Sequence, residues 1–236
     1  MHNMQDIVIV GIGPIAEMAW AYFNSDSDYH VVAFSGEAAY LDGRYTEQTF
    51  MGLPIVALED LPAKYPPSQY KAFVALGYDK LNHGRARLYQ QMLGKGYELV
   101  SYISTKAFID ETCQIGKNCF ILENNVLQRN VIIGDDVFLW SGNHIGHSST
   151  IGDHVFLSSH VAVSGFCKIG KYCFLGINSC TGDNLAIGEN CFIGGGVSIT
   201  RNTKTNEIYR MPMPKPERLA ASTVFGFHEE FLINNG

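Results

Sequence analysis

The sequence predicts an α/β domain of the parallel-sheet type followed by an all-β parallel solenoid. Two patterns carry this reading. Strand-like and helix-like segments alternate over roughly the first hundred residues, and a strict six-residue period then takes over from Ile103. The chain of 236 residues is long enough for two such units, and its composition, 46% hydrophobic and 17% charged, is that of an ordinary globular protein.

In the first unit the apolar runs 7–10, 31–34, 72–75 and 99–102 read as strands, and segments 14–23, 58–65 and 81–93 read as helices. Pro14 suits a first helical turn, where its missing N–H is not needed. Strand alternating with helix implies βαβ units and a parallel sheet, so residues 1–103 are predicted to form a small Rossmann-like domain. Its first loop, Gly11-Ile-Gly13-Pro-Ile-Ala16, is a variant of the glycine-rich dinucleotide fingerprint. Such a loop could hold NAD, or could hold another phosphate through backbone N–H groups at the helix start. The acidic residue that would take a ribose belongs at the end of the second strand, about 20 residues on. Here that strand ends Ala33-Phe-Ser35-Gly-Glu37, with Glu37 slightly beyond the position. Gly11, Gly13, Ser35, Gly77 and Tyr78 all fall at carboxyl ends of strands, where open α/β sheets bind ligands.

From Ile103 to Ile199 seventeen consecutive hexads begin at every sixth residue, and sixteen begin with an aliphatic side chain; the exception is Thr181. The second position is glycine in nine hexads, and the fifth is mostly small or β-branched. An α-helix has no six-residue period and a simple strand alternates every two, so this is a repeat architecture. Three hexads make an 18-residue triangular coil, with first-position side chains stacked inward at about 4.8 Å per coil. The repeats are assigned to residues 104–200, leaving 201–236 as a C-terminal extension.

Cys113, Cys119, Cys167, Cys173 and Cys191 all occupy the inward fifth position, where a small packing thiol is favoured over a reactive one. No Cys-x-x-Cys spacing is present, so neither a zinc site nor a disulfide framework is expected. The solenoid histidines His144, His147, His154 and His160 avoid the first and fifth positions and are expected outside or at corners. His147 stacks on Gly165 one coil later, and that glycine is expected to leave an open notch beside a potential base. The net charge of −6 argues against a nucleic-acid partner, and no run of 18 apolar residues exists to span a membrane. A cytoplasmic protein is expected.

Residues 145–196 resemble the sialic-acid O-acetyltransferase-like hexapeptide acyltransferases, a family that includes nucleotide-aminosugar N-acetyltransferases of the bacillosamine and perosamine type. The likeness is carried by His147-Ser-Ser-Thr-Ile-Gly152, Val163-Ser-Gly-Phe-Cys-Lys-Ile-Gly170, Cys173-Phe-Leu-Gly-Ile-Asn-Ser-Cys180 and Ile193-Gly-Gly-Gly196. It implies a left-handed β-helix, an exception to the right-handed rule for parallel crossovers. It further implies acetyl-CoA as cosubstrate, His147 as general base, and cofactor contacts at Gly165, Ile177 and Gly195. A homotrimer with sites between subunits follows from it too, with a nucleotide sugar on the N-terminal domain, where Arg85 falls at a family arginine. The activity so implied is transfer of acetyl from acetyl-CoA to the amino group of a nucleotide-linked 4-amino-4,6-dideoxy sugar, as in glycan or lipopolysaccharide biosynthesis. O-acetylation of a sugar hydroxyl and a non-catalytic scaffold are the alternatives. A backbone N–H near Gly165 is expected to stabilise the oxyanion. The chain departs from the family in three places: Ser148 replaces an acidic neighbour of the base, Ser35-Gly-Glu37 replaces strand-end aspartates, and Met211-Pro-Met-Pro-Lys-Pro216 replaces a Gly-x-Pro-Ala segment.

Overall fold

The structure is a computed structural model that describes residues 4–41 and 49–226; part of the C-terminal extension, residues 227–236, lies outside the described residues. The chain opens with β1 (Gln5–Val10), α1 (Pro14–Ser25), β2 (Tyr29–Gly36), α2 (Ala38–Leu41), β3 (Thr49–Phe50), β4 (Leu53–Ala57), α3 (Leu61–Lys64), β5 (Lys71–Val74) and α4 (His83–Gly94). The sheet order is β3-β4-β2-β1-β5, parallel except for the β3–β4 pair. Segment 58–65 yields only the single turn α3, because Pro66 and Pro67 cannot continue a helix. Strand β4 escapes the sequence reading because Pro54 interrupts it; the proline pairs with Thr49 of β3 at the sheet margin. The fourth expected strand dissolves: Leu99 reaches Ala72 by one isolated bridge, and Tyr102 already starts the solenoid.

Eighteen two-residue strands follow, from Tyr102–Ile103 to Ile208–Tyr209, in three parallel ladders. One ladder runs through His144–Ile145 and Ala162–Val163, the second through Thr150–Ile151, and the third through Phe138–Leu139 and Phe174–Leu175. The last rung reaches Tyr209, which pairs with Ile193. The first-position aliphatics and the fifth-position Cys119, Cys167, Cys173 and Cys191 form one buried core. Burial pushes the Cys119 and Cys173 thiols up to about 12, so neither supplies a thiolate near neutral pH.

The corner residue at the fourth hexad position is left-handed in every coil from Asn118 to Gly196. Asparagine fills six of these corners, which suits its tolerance of that conformation.

The two units are joined by two kinds of contact. Phe120, Phe138, Phe156 and Phe174 stack up one solenoid face and share a core with α1 and the sheet residues Ile7, Ile9, Phe34 and Phe73. The opposite sheet face packs on α4 through Leu88, Tyr89 and Met92. No helix among the described residues is long and apolar enough to cross a membrane.

Candidate active site

His147 sits at the corner that follows the His144–Ile145 strand and is exposed. Its backbone N–H donates to Gln128 Oε1 at 3.0 Å, and its ring nitrogens meet no protein partner among the described residues. The notch beside it is not open. A Cβ on Gly165 would lie 2.9 Å from His147 Cε1 and Nε2, so the imidazole itself lies over the glycine. Glycine is required there to let the ring down onto the next coil. Phe166 meets the imidazole edge to face, with ring centroids 4.8 Å apart and planes at 89°. Gly165 N–H donates to Asp183 Oδ1 at 3.1 Å. The N–H groups of Ser164, Phe166 and Cys167 are also taken, by Thr181, His147 and Ser149. This corrects the expectation of an oxyanion donor near Gly165, because every N–H in that turn already has an acceptor.

The other expected cofactor contacts lie elsewhere. Ile177 and Gly195 occupy the corner after the Phe174–Leu175 ladder, a different edge of the triangle. They stack on each other: a Cβ on Gly195 would come 3.2 Å from Ile177 Cγ2, and Gly196 N–H donates to Ile177 O. The N–H groups of Ile177 and Gly195 donate to no protein atom among the described residues. Within one chain, therefore, His147 with Gly165 and Ile177 with Gly195 lie on separate edges of the solenoid.

The remaining histidines divide by environment. His144 is exposed on a strand that pairs with Ala162. His160 packs its ring where a side chain on Gly142 would be. His154, expected at the outside, is buried because α4 covers its corner; its Nδ1 is 2.8 Å from Asp136 Oδ2.

The N-terminal unit holds a crevice of about 530 Å³ lined by Gly11, Gly13, Ser35, Glu37, Lys80 and Arg87, among others. At its floor, Gly11 has φ +141° and a Cβ there would lie 2.5 Å from Ala75 O, so only glycine fits. Gly13 caps α1, whose first turn opens beside the crevice. Ser35 is fully buried, yet its Oγ meets no hydrogen-bond partner among the described residues. Arg87 grips Glu37 with both guanidinium nitrogens at 2.7 and 2.6 Å, and this holds the Glu37 carboxyl below its usual range. The crevice also takes in Tyr40, Asp79 and His83, which sequence reasoning missed. The turn that presents Lys80 has three successive left-handed residues, Lys80, Leu81 and Asn82, and no glycine to announce it.

Three expected acceptor residues do not line this crevice. Gly77 gives its carbonyl to Arg85, and Tyr78 lies on Phe156 and Phe174 with its ring half exposed. Arg85 is wholly buried and spends all five N–H donors inside the protein: on Asp136 Oδ1 and O, Gly77 O, Asn82 Oδ1 and His154 O. Its guanidinium carbon lies 4.2 Å over Phe138. Arg85 is thus a strut between α4 and the solenoid, with nothing left to offer a ligand.

Residues 112–147, 130–165 and 166–201 match the bacterial transferase hexapeptide family (six repeats). No curated protein matches the chain in sequence. Among solved structures, the acetyltransferase domain of PglB from Neisseria gonorrhoeae FA1090 is similar with a TM-score of 0.75 at 20% identity, covering 86% of this chain and 95% of that one. PerB from Caulobacter crescentus, in complex with CoA and GDP-perosamine, gives 0.75 at 21%, covering 87% and 94%. WeeI from Acinetobacter baumannii AYE gives 0.71 at 18%, covering 86% and 96%. These likenesses establish the fold over nearly the whole chain: an α/β domain followed by a left-handed parallel β-helix of hexapeptide repeats.

Proposed function

Starting from a hexapeptide-repeat transferase fold, we propose that the chain transfers an acetyl group from acetyl-CoA to the amino group of a nucleotide-linked 4-amino-4,6-dideoxy sugar. The observation that carries this is the pairing of an exposed His147 imidazole over Gly165 with a separate edge at Ile177 and Gly195, where neither the ring nitrogens nor those two N–H groups meet a partner among the described residues. Two half-sites on different edges make one site when a neighbouring copy brings its edge alongside, as in a closed ring of three. Acetyl-CoA would lie between copies, along Ile177 and Gly195 of one and beside Gly165 of the other. The solved PerB complex with CoA and GDP-perosamine and the acetyltransferase domain of PglB support the substrate class.

The chemistry is direct attack. The amine nitrogen adds to the thioester carbonyl while His147 takes its proton; the tetrahedral species then expels the CoA thiolate, which the imidazolium can reprotonate. With the Gly165 N–H held by Asp183, the oxyanion donors are assigned to the free N–H groups of the neighbouring edge. The acceptor's nucleotide is assigned to residues 1–103, in the crevice of Gly11, Gly13 and Ser35, with the Ser35 hydroxyl and the first turn of α1 toward its phosphates.

The test is a panel of nucleotide sugars screened for thiol release from acetyl-CoA. Release with 4-amino sugars, and an acetylated product stable to mild alkali, is expected. An alkali-labile product would mean an ester and O-transfer; no release with any acceptor would overturn the reading.

A further inference from the structure

We infer that Phe166 is the positioning residue for the His147 imidazole. The inference rests on the reading of His147 as the base. Phe166 holds φ +57° at a corner position that asparagine fills at six other corners. A bulky aromatic there is strained, and such strain persists where the surroundings or the function require it. Packing does not require it: the ring is 56% exposed and belongs to no core cluster. What it touches is His147, edge to face at 4.8 Å and 89°.

The need for such a group is also visible. The residue after the base is Ser148, which has no charge to hold an imidazole, and neither ring nitrogen of His147 has a protein partner among the described residues. Gly165 gives the ring a floor and Phe166 gives it a wall; together they fix its plane without a carboxylate. The Phe166 backbone N–H donates to His147 O at 2.9 Å, so the wall is tied to the same turn as the base.

The experiment compares Phe166→Asn, Phe166→Tyr, His147→Ala and the double variant Phe166→Asn/His147→Ala. Asparagine suits the left-handed corner, so Phe166→Asn should fold and melt at a temperature no lower than the native protein. Its kcat should nevertheless fall by about 10-fold to 100-fold, the order that a misplaced group costs. KM for acetyl-CoA should change by less than about twofold. Phe166→Tyr should keep near-native kcat, and the double variant should be no slower than His147→Ala. In the protein without substrates, the imidazole C–H resonances of His147 should lose their ring-current shift and become more mobile in Phe166→Asn but not in Phe166→Tyr. Native kcat and unchanged imidazole resonances in Phe166→Asn, with His147→Ala impaired, would overturn the role of Phe166 alone. Native kcat in His147→Ala would overturn both the base and its positioning residue.

Discussion

At the scale of single residues, environment decides role more than residue type does. His147 and His154 are separated by seven positions, yet one lies open on a glycine and the other is buried on Asp136 beneath α4. If His147 is the base, His147→Ala should lower kcat by about 10²–10⁴-fold with little change in KM for acetyl-CoA, while His144→Ala should cost far less; steady-state kinetics on both variants checks this. Arg85 makes the converse point. Arg85→Met should destabilise the fold by about 3–5 kcal/mol, because the buried Asp136 carboxylate loses its guanidinium partner and keeps only Asn118 and His154. Chemical denaturation measures that loss; a variant of native stability with only a raised acceptor KM would return Arg85 to the ligand. The positions of His147, Gly165, Gly11 and Ser35 were legible in the sequence because the hexad register and the strand ends place them. The burial of Arg85 and His154 was not, because it arises from α4 covering a solenoid corner more than fifty residues away from Arg85 in the chain. The filling of the Gly165 notch by the imidazole depends on a side-chain direction, which spacing alone does not give.

At the scale of elements, the hexads were read from first, second and fifth positions, and the first and fifth define the inner core. The sixth position held a second signal: phenylalanine at 120, 138, 156, 174 and 192, one per coil. Its meaning needs the three-sided coil, since these five fall in one ladder, and that ladder is the face that packs beneath α1 and the sheet. Phe138→Ala should therefore cost about 3–5 kcal/mol and loosen the α/β unit from the solenoid, which limited proteolysis near residue 100 would reveal. A second clasp is Asp26 at the end of α1. Hydrogen bonds from the Thr105 side chain, then from Tyr102, Thr105 N–H and Ser104, hold its carboxyl below the usual range against the opposing effect of burial. A carboxyl with a folded pKa below its unfolded value stabilises the fold above the unfolded value near 3.9 and loses that contribution as pH falls. The stability gap between the native protein and Asp26→Asn should accordingly be present at pH 7 and narrow on acidification below about pH 4. A gap that stays constant down to pH 3 would show that Asp26 is no clasp.

At the scale of the whole molecule, the alternation of the first hundred residues and the six-residue period give the architecture in outline. The crevice, built from β2, the α1 loop and the strained turn before α4, gathers residues from three distant stretches and could not be read from any one of them. His147 with Gly165 and Ile177 with Gly195 lie on separate edges of the solenoid, so the proposed reaction needs a second copy, and sedimentation should find a trimer at micromolar concentration. The most direct test joins that assembly to the chemistry. His147→Ala removes the base from one edge and leaves the Ile177–Gly195 edge intact, while Gly195→Arg blocks the second edge and leaves the base. Each variant alone should keep no more than about a hundredth of native acetyl transfer. Co-expressed in equal amounts, they should recover about a quarter of native activity, since a random ring of three pairs an intact base edge with an intact neighbouring edge in about one contact of four. No recovery from folded, mixed trimers would contradict a site shared between copies, and with it the assignment of His147 and Gly195 to one reaction.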